Sequence, residues 1–240
     1  MRILGVVGAR SGSKSIPHKN IKHLCGKPLM AWIIEAAKRS PLVSRVILST
    51  DSPAYQEVGR MFGAETLFLR PAELANDTAS DMDYLIHAVT WLEKNENWQP
   101  DIILRLPPTA PLCKTETIDA CINLLLKDPS ATSSRAIAPA PKHPYKLWKI
   151  EQDELLPFIP KETTGFAEPS NMARQFYKPA AYAHIDVIAV RYHTLMKQNL
   201  LTGARTRFHL LDKKDAVDID TENDFLLAEI LLKQWMNTAQ

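Results

Sequence analysis

The chain has 240 residues, 45% of them hydrophobic and 23% charged, which suits one α/β domain with a sizeable core and argues against long disorder. Lys and Arg number 29 against 27 Asp and Glu, a balance far from the basic stripe of a dedicated nucleic-acid binder. No apolar run approaches the roughly 18 residues of a membrane span, and the N-terminus lacks a signal-peptide pattern. Cys25, Cys113 and Cys121 are odd in number and show no C-x-x-C pairing. They read as buried or half-buried small side chains, not as a zinc site or disulfide framework, and the expected setting is the reducing cytoplasm.

Taken in chain order, Ile3–Val7 is a short apolar run ending in a Gly/Ser-rich stretch, a buried strand feeding a loop. Pro28 opens a helix with Leu29, Trp32, Ile33, Ala36 and Ala37 on one face. Val46–Leu48 is a second strand, and Ser52-Pro53 caps a helix that buries Tyr55, Val58 and Phe62. A third strand is predicted at Thr66–Leu69. Ser80 with the acidic turn Asp81-Met82-Asp83 starts the next helix, Ile102–Leu104 is a fourth strand, and Thr115 begins a helix carrying Ile118, Cys121, Ile122 and Leu125. This alternation predicts a doubly wound, mostly parallel sheet in a single domain over 1–240. From 139 to 184 the rhythm breaks into prolines and aromatics, read as an insert of irregular strands. Ile185–Arg191 then reads as a returning strand and Phe208–Leu210 as a short last one. Thr221-x-x-Asp224 resembles a capping box for the closing helix.

Residues 8–27 form a long loop after the first strand. Gly8-Ala9-Arg10-Ser11-Gly12-Ser13-Lys14-Ser15 nearly matches the pattern G-x-x-x-x-G-K-[ST], but Ser13 replaces the second glycine and Pro17 stands where a P-loop helix would run. Small residues and the cations Arg10, Lys14 and Lys19 at a strand's carboxyl end suit a polyphosphate clamp; the alternative is a solvated surface loop. Asp218 and Asp220, at i and i+2, put two carboxylates on one side of an extended stretch. Such a pair of hard oxygen ligands suits a divalent cation such as Mg²⁺, although an acidic capping turn before Thr221 is also open, and Asp51 is a rival at another strand end.

Ala9 to Asn20 followed by Gly26-Lys27-Pro28-Leu29 resembles the signature of the acylneuraminate cytidylyltransferases, the CMP-sialic acid synthetases, with CMP-Kdo synthetases as more distant relatives. Leu69–Ala75 with Asp77–Ser80, Leu106–Leu112, His143–Lys146, Arg174-Gln175 and Asp218–Asp220 are similar to further blocks of that family in the same order. The resemblance implies a Rossmann-like nucleotidyltransferase that joins CTP to a 2-keto-3-deoxy sugar acid, giving a CMP-sugar and pyrophosphate. It further implies catalytic roles for Arg10, Lys19, Asp218 and Asp220, Mg²⁺ on the two aspartates, and a nucleotide site of Ala9, Arg10, Ser11, Gly12, Ser13, Asn20, Arg70 and Ser80. Backbone amides of Ser11 to Ser13 are expected to face phosphate. Arg70 by itself reads more often as a surface ion-pair partner; its place at a strand end followed by Pro71 favours the nucleotide role.

On the sugar side the resemblance points to Pro107, Thr109, Arg174, Gln175 and His184, and here the pattern departs. Proline stands at 107 where the family has a glutamine, alanine at 110 for serine, and cysteine at 113 for arginine. The departures suggest a sialic-acid-like nonulosonate other than N-acetylneuraminic acid, pseudaminic-type sugars included. His184 reads as a pocket or core histidine before a metal ligand. The apolar, proline-rich insert needs cover, and it is expected to form the arm of a homodimer. Other nucleotidyltransfer, CMP-Kdo-type synthesis and a nucleotide-binding regulatory role are the alternatives.

Overall fold

A computed structural model of the chain describes residues 1–178 and 180–238, the side chains of residues 174, 185, 186 and 238 excepted. The parallel strands are β1 (Ile3–Gly8), β4 (Arg45–Ser49), β5 (Ile102–Leu106), β6 (Ser133–Pro139) and β10 (Thr206–Leu210), with β9 (Tyr182–Arg191) running against them. Together they form one six-stranded sheet in the order β10-β6-β9-β5-β1-β4. Two small antiparallel ribbons lie outside it, β2 (His23–Leu24) with β3 (Lys27–Pro28), and β7 (Trp148–Glu151) with β8 (Glu154–Pro157).

Alternation along each strand sends successive side chains to opposite faces. Val7, Leu48 and Leu104 pack under α1 (Leu29–Arg39), α2 (Pro53–Met61) and α4 (Thr115–Lys127), whereas Val6, Ile47 and Ile103 pack under α3 (Asp81–Glu96) and α6 (Tyr192–Gln198). A third cluster, around Trp32, Ile219 and Phe225, seats α7 (Glu222–Thr238) against α1. The helix starts follow their chemistry. Ser52 Oγ accepts from Tyr55 N, Ser80 with Asp83 completes a capping box, and Thr221 with Asp224 exchanges bonds in the same way. Pro28 is the residue before the helix, one position earlier than predicted, and pairs with His23.

The third predicted strand is a correction. Glu65 is joined to β4 through Val46 and Leu48, and Arg70 N donates to Thr50 O at 2.7 Å, but Thr66–Leu69 between them leaves the sheet edge. Leu67 and Phe68 turn inward against the α3 layer instead. The insert loses its two ends to the sheet, since Pro139 closes β6 and Tyr182 opens β9; only 140–181 departs from it. Within that excursion are the β7–β8 hairpin, the single turn α5 (Lys161–Thr164) and short 3-10 turns. Strand β6 and helix α6 had no clear sequence pattern.

Candidate active site

The carboxyl ends of β1 and β5 open onto a cleft of about 360 Å³, lined among others by Gly8, Arg10, Lys19, Asn20, Arg105 and Asp220. Its loop wall is pinned at several points. Ala9 N donates to Ser49 O at 3.0 Å, Ser11 N and Oγ both donate to the Asp51 carboxylate at 2.8 Å, and Asn20 Nδ2 donates to Arg10 O at 3.0 Å. Asp51 therefore holds the loop rather than standing open to a metal. The amides expected to face phosphate are partly spent: Ser11 N on Asp51, and Ser13 N on Ser11 O at 3.0 Å. Gly12 sits where an added Cβ would meet nothing within 4 Å, so the loop tip is open.

Both distal cations of this wall meet one acid. Arg10 Nη1 donates to Asp77 Oδ1 and to Asn76 O, each at 2.9 Å, and Lys14 pairs with the other Asp77 oxygen. Lys14 first, then Arg10, holds the Asp77 carboxyl below its ordinary range. The third cation is built differently. Lys19 is buried, its Nζ donating to Ile219 O at 2.5 Å and standing 3.5 Å from Asp220 Oδ1.

That contact joins the loop to the acidic wall. Ile219 is fully buried and its amide donates to Thr109 O at 2.9 Å, so Asp218 and Asp220 on either side of it both emerge from the protein surface. Asp218 reaches solvent, yet surrounding protein still displaces enough water to raise its pKa; the like charge of Asp220 adds, while the Thr109 hydroxyl, Arg105 and Lys19 oppose. The helix-capping alternative for this pair falls to Thr221 and Asp224, which make the capping bonds themselves. Among the described residues no group of three or more His, Cys, Asp or Glu could hold a metal. The pair Asp218 and Asp220 fits a hard cation whose remaining ligands come from phosphate and water.

The floor is made of residues that the sequence reading passed over. The Tyr84 ring lies across Gly8, with the Arg70 guanidinium 4.6 Å from the ring centre. Arg105 Nε stands 2.6 Å from Asp81 Oδ2. An arginine inside the run Ile102-Ile103-Leu104-Arg105-Leu106 was the available signal, because a charge in a buried strand needs a partner or a purpose. Arg70 itself lies behind the floor, buried, bonded through Nε to Ser49 Oγ at 3.0 Å and through Nη2 to Ser49 O at 2.5 Å. Ser80 commits its hydroxyl to the capping box with Asp83. Asn20 differs, as its Oδ1 is buried without a hydrogen-bond partner.

Of the residues expected on the sugar side, Pro107 and Thr109 line the cleft. His184 lies beyond it on β9 with part of its ring in solvent, and the water displaced by surrounding protein, then Arg105 and Arg135, push its pKa down to about 4. Gln175 is exposed in the excursion, and the Arg174 side chain lies outside the described residues.

The sheet, its layers and a cleft at the carboxyl ends of parallel strands define an α/β nucleotidyltransferase fold. A solved CMP:2-keto-3-deoxy-manno-octonic acid synthetase complexed with CTP superposes with a TM-score of 0.70 over 98% of this chain and 99% of that one, at 18% identity. The sequence profile described as "Cytidylyltransferase" matches residues 4–154, and the chain belongs to that family of nucleotidyltransferases. It is 28% identical to the CMP-N,N'-diacetyllegionaminic acid synthase of Legionella pneumophila over 97% of both chains. It is 29% identical to the N-acylneuraminate cytidylyltransferase of Escherichia coli over 98% of this chain and 53% of that protein.

Proposed function

We propose that the protein transfers the cytidylyl group of CTP to the anomeric hydroxyl of a 2-keto-3-deoxy sugar acid of the nonulosonate class, releasing pyrophosphate. The observation that carries this reading is the meeting of two walls in one cleft: the loop cations Arg10, Lys14 and Lys19, and the carboxylate of Asp220, with Asp218 beside it close enough to feel the charges of Asp220, Arg105 and Lys19. In-line attack on the α-phosphorus needs placement of the two reactants and neutralisation of phosphate charge more than covalent help. Arg10 and Lys14 would exchange Asp77 for the β- and γ-phosphates. Lys19 would keep the loop in register with the acidic wall. Asp218 and Asp220 would hold Mg²⁺, which when bound neutralises triphosphate charge. The orphaned Asn20 Oδ1 suits a hydrogen-bond donor of the nucleotide, a ribose hydroxyl or the cytosine amino group.

Both named relatives make CMP-activated acidic sugars by their titles, which supports the substrate class. Pro107 offers the sugar no side-chain donor or acceptor, which favours a nonulosonate other than N-acetylneuraminic acid. We further place the enzyme in the cytoplasm as a homodimer, with the 140–181 excursion as its arm. The test is pyrophosphate release with each of the four nucleoside triphosphates against N-acetylneuraminic, N,N'-diacetyllegionaminic and pseudaminic acids and Kdo. Turnover with CTP and a nonulosonate, weak or absent with the other nucleotides, is expected. Equal use of all four triphosphates overturns the cytidine assignment. Silence across the whole panel overturns the reaction.

A further inference from the structure

Arg105 occupies an unusual place. Leu104 and Leu106 beside it are fully buried, and its own side chain is 19% exposed. That exposed part lines the cleft. The sheet order puts it on the β9 side of the cleft, whereas Arg10 is tied by Asn76 and Asp77 toward the β4 side. The cleft thus has cationic groups on two sides.

The Arg105 end is organised. Its ion pair to Asp81, in the first turn of α3, holds the guanidinium at the cleft, and a guanidinium fork matches a carboxylate. Arg135 approaches from β6, both arginines being in register with Ile188 of β9, and Arg135 Nη2 donates to Thr202 Oγ1 at 3.2 Å. His184, beyond the cleft on β9, is kept neutral and so adds no further positive charge. Pro107 and Pro108 line the cleft beside Arg105 with no polar side-chain atom, Asp81, Tyr84 and Thr109 line it as well, and the cation among these neighbours is Arg105.

We infer that Arg105 binds the carboxylate of the sugar acid within the same chain that holds the nucleotide, with Asp81 as its positioning residue. The inference rests on the reading of the cleft as a CTP and sugar-acid site. It makes Arg105 a specificity-determining residue, selecting acidic sugars over neutral ones.

Full-length wild type, Arg105→Met, Arg105→Lys and Arg174→Met are compared using the best sugar of the panel and its methyl ester. CTP affinity by calorimetry and a melting curve report on folding. Loss of a charge-assisted contact should raise the sugar KM of Arg105→Met by roughly 10- to 100-fold, with CTP affinity within about twofold of wild type. Arg105→Lys should fall between. Wild type should prefer the acid to its ester, and Arg105→Met should lose that preference, an effect that a purely structural ion pair would not produce. An unchanged sugar KM in Arg105→Met or Arg105→Lys that binds CTP normally overturns the inference, as does loss of acid preference only in Arg174→Met. Loss of CTP binding and of melting stability in both Arg105 variants assigns the residue to folding and overturns it equally. Inactivity of wild type with every sugar overturns the functional reading itself, a result visible before any variant is assayed.

Discussion

Asp218 and Asp220 flank Ile219, which is locked into the protein between them. Its buried side chain and its bond to Thr109 O hold the stretch, so removing Asp218 or Asp220 takes away surface charge without emptying core. Asp218→Ala and Asp220→Ala are therefore expected to lower turnover by roughly 100-fold or more, about 3 kcal/mol of barrier, with little change in melting temperature. Near-normal turnover at saturating magnesium in both would return them to a passive role. His184 gives a pH signature. Its pKa falls from an ordinary 6.5 to about 4 in the folded chain, so between those values the unfolded chain binds more protons and stability rises with pH. The contribution is present above about pH 6.5 and is lost as the solution is acidified toward 4. Urea midpoints at pH 4.5 and 7.5 should differ less in His184→Gln than in wild type; equal differences would show that the imidazole is not the titrating group. At this scale the segments that bring Arg10, Lys19 and Asp220 to the cleft were legible from residue type and order. Tyr84, Asp81 and Arg105 were not, because only the packing of α3 against the sheet brings that helix and β5 to one floor.

Elements transmit these positions through close contacts. At the end of β1 the chain must pass under Tyr84, and a Cβ on Gly8 would lie 2.5 to 2.9 Å from three ring atoms. The ring is held by burial and by Arg70 above it, so it has little room to yield. Gly8→Ala is expected to cost about 1–3 kcal/mol of stability by overpacking, whereas Gly12→Ala, with open space around it, should be nearly neutral. Chemical denaturation of the two variants checks the contrast; equal midpoints would mean that the ring swings aside. The helices were readable from period and caps, since Ser80–Asp83 and Thr221–Asp224 are local chemistry. The failed strand at Thr66–Leu69 shows the limit of such reading. A short apolar run packs equally well along a sheet edge or beneath a helix, and α3 captured Leu67 and Phe68.

For the whole molecule, the excursion is the unsettled surface. Trp148, Ile150, Leu155, Phe158 and Phe176 are all exposed there, a density of large apolar groups that a second copy of the chain would cover. Sedimentation at micromolar concentration should give twice the 27.0 kDa mass of the chain; a stable 27.0 kDa species would reject the dimer. Mixing Asp220→Ala with Arg174→Ala subunits asks whether the arm completes the partner's pocket. Recovered activity after subunit exchange is expected if it does, and none if each pocket is confined to one chain.

The amino-acid sequence by itself determined the alternating α/β order, the helix starts and the chemistry-bearing blocks, because period, caps and residue type are local properties. It also carried the site's two charged walls, which lie in segments whose order is preserved along the chain. Only the tertiary structure decided that Asp51 is a loop anchor, that Arg70 sits behind the floor, and that Arg105 shares a cleft with Lys19 and Asp220. Those outcomes depend on which strands become neighbours. A side chain's role follows from what stands opposite it, and strand order and register set that partner across long stretches of intervening chain.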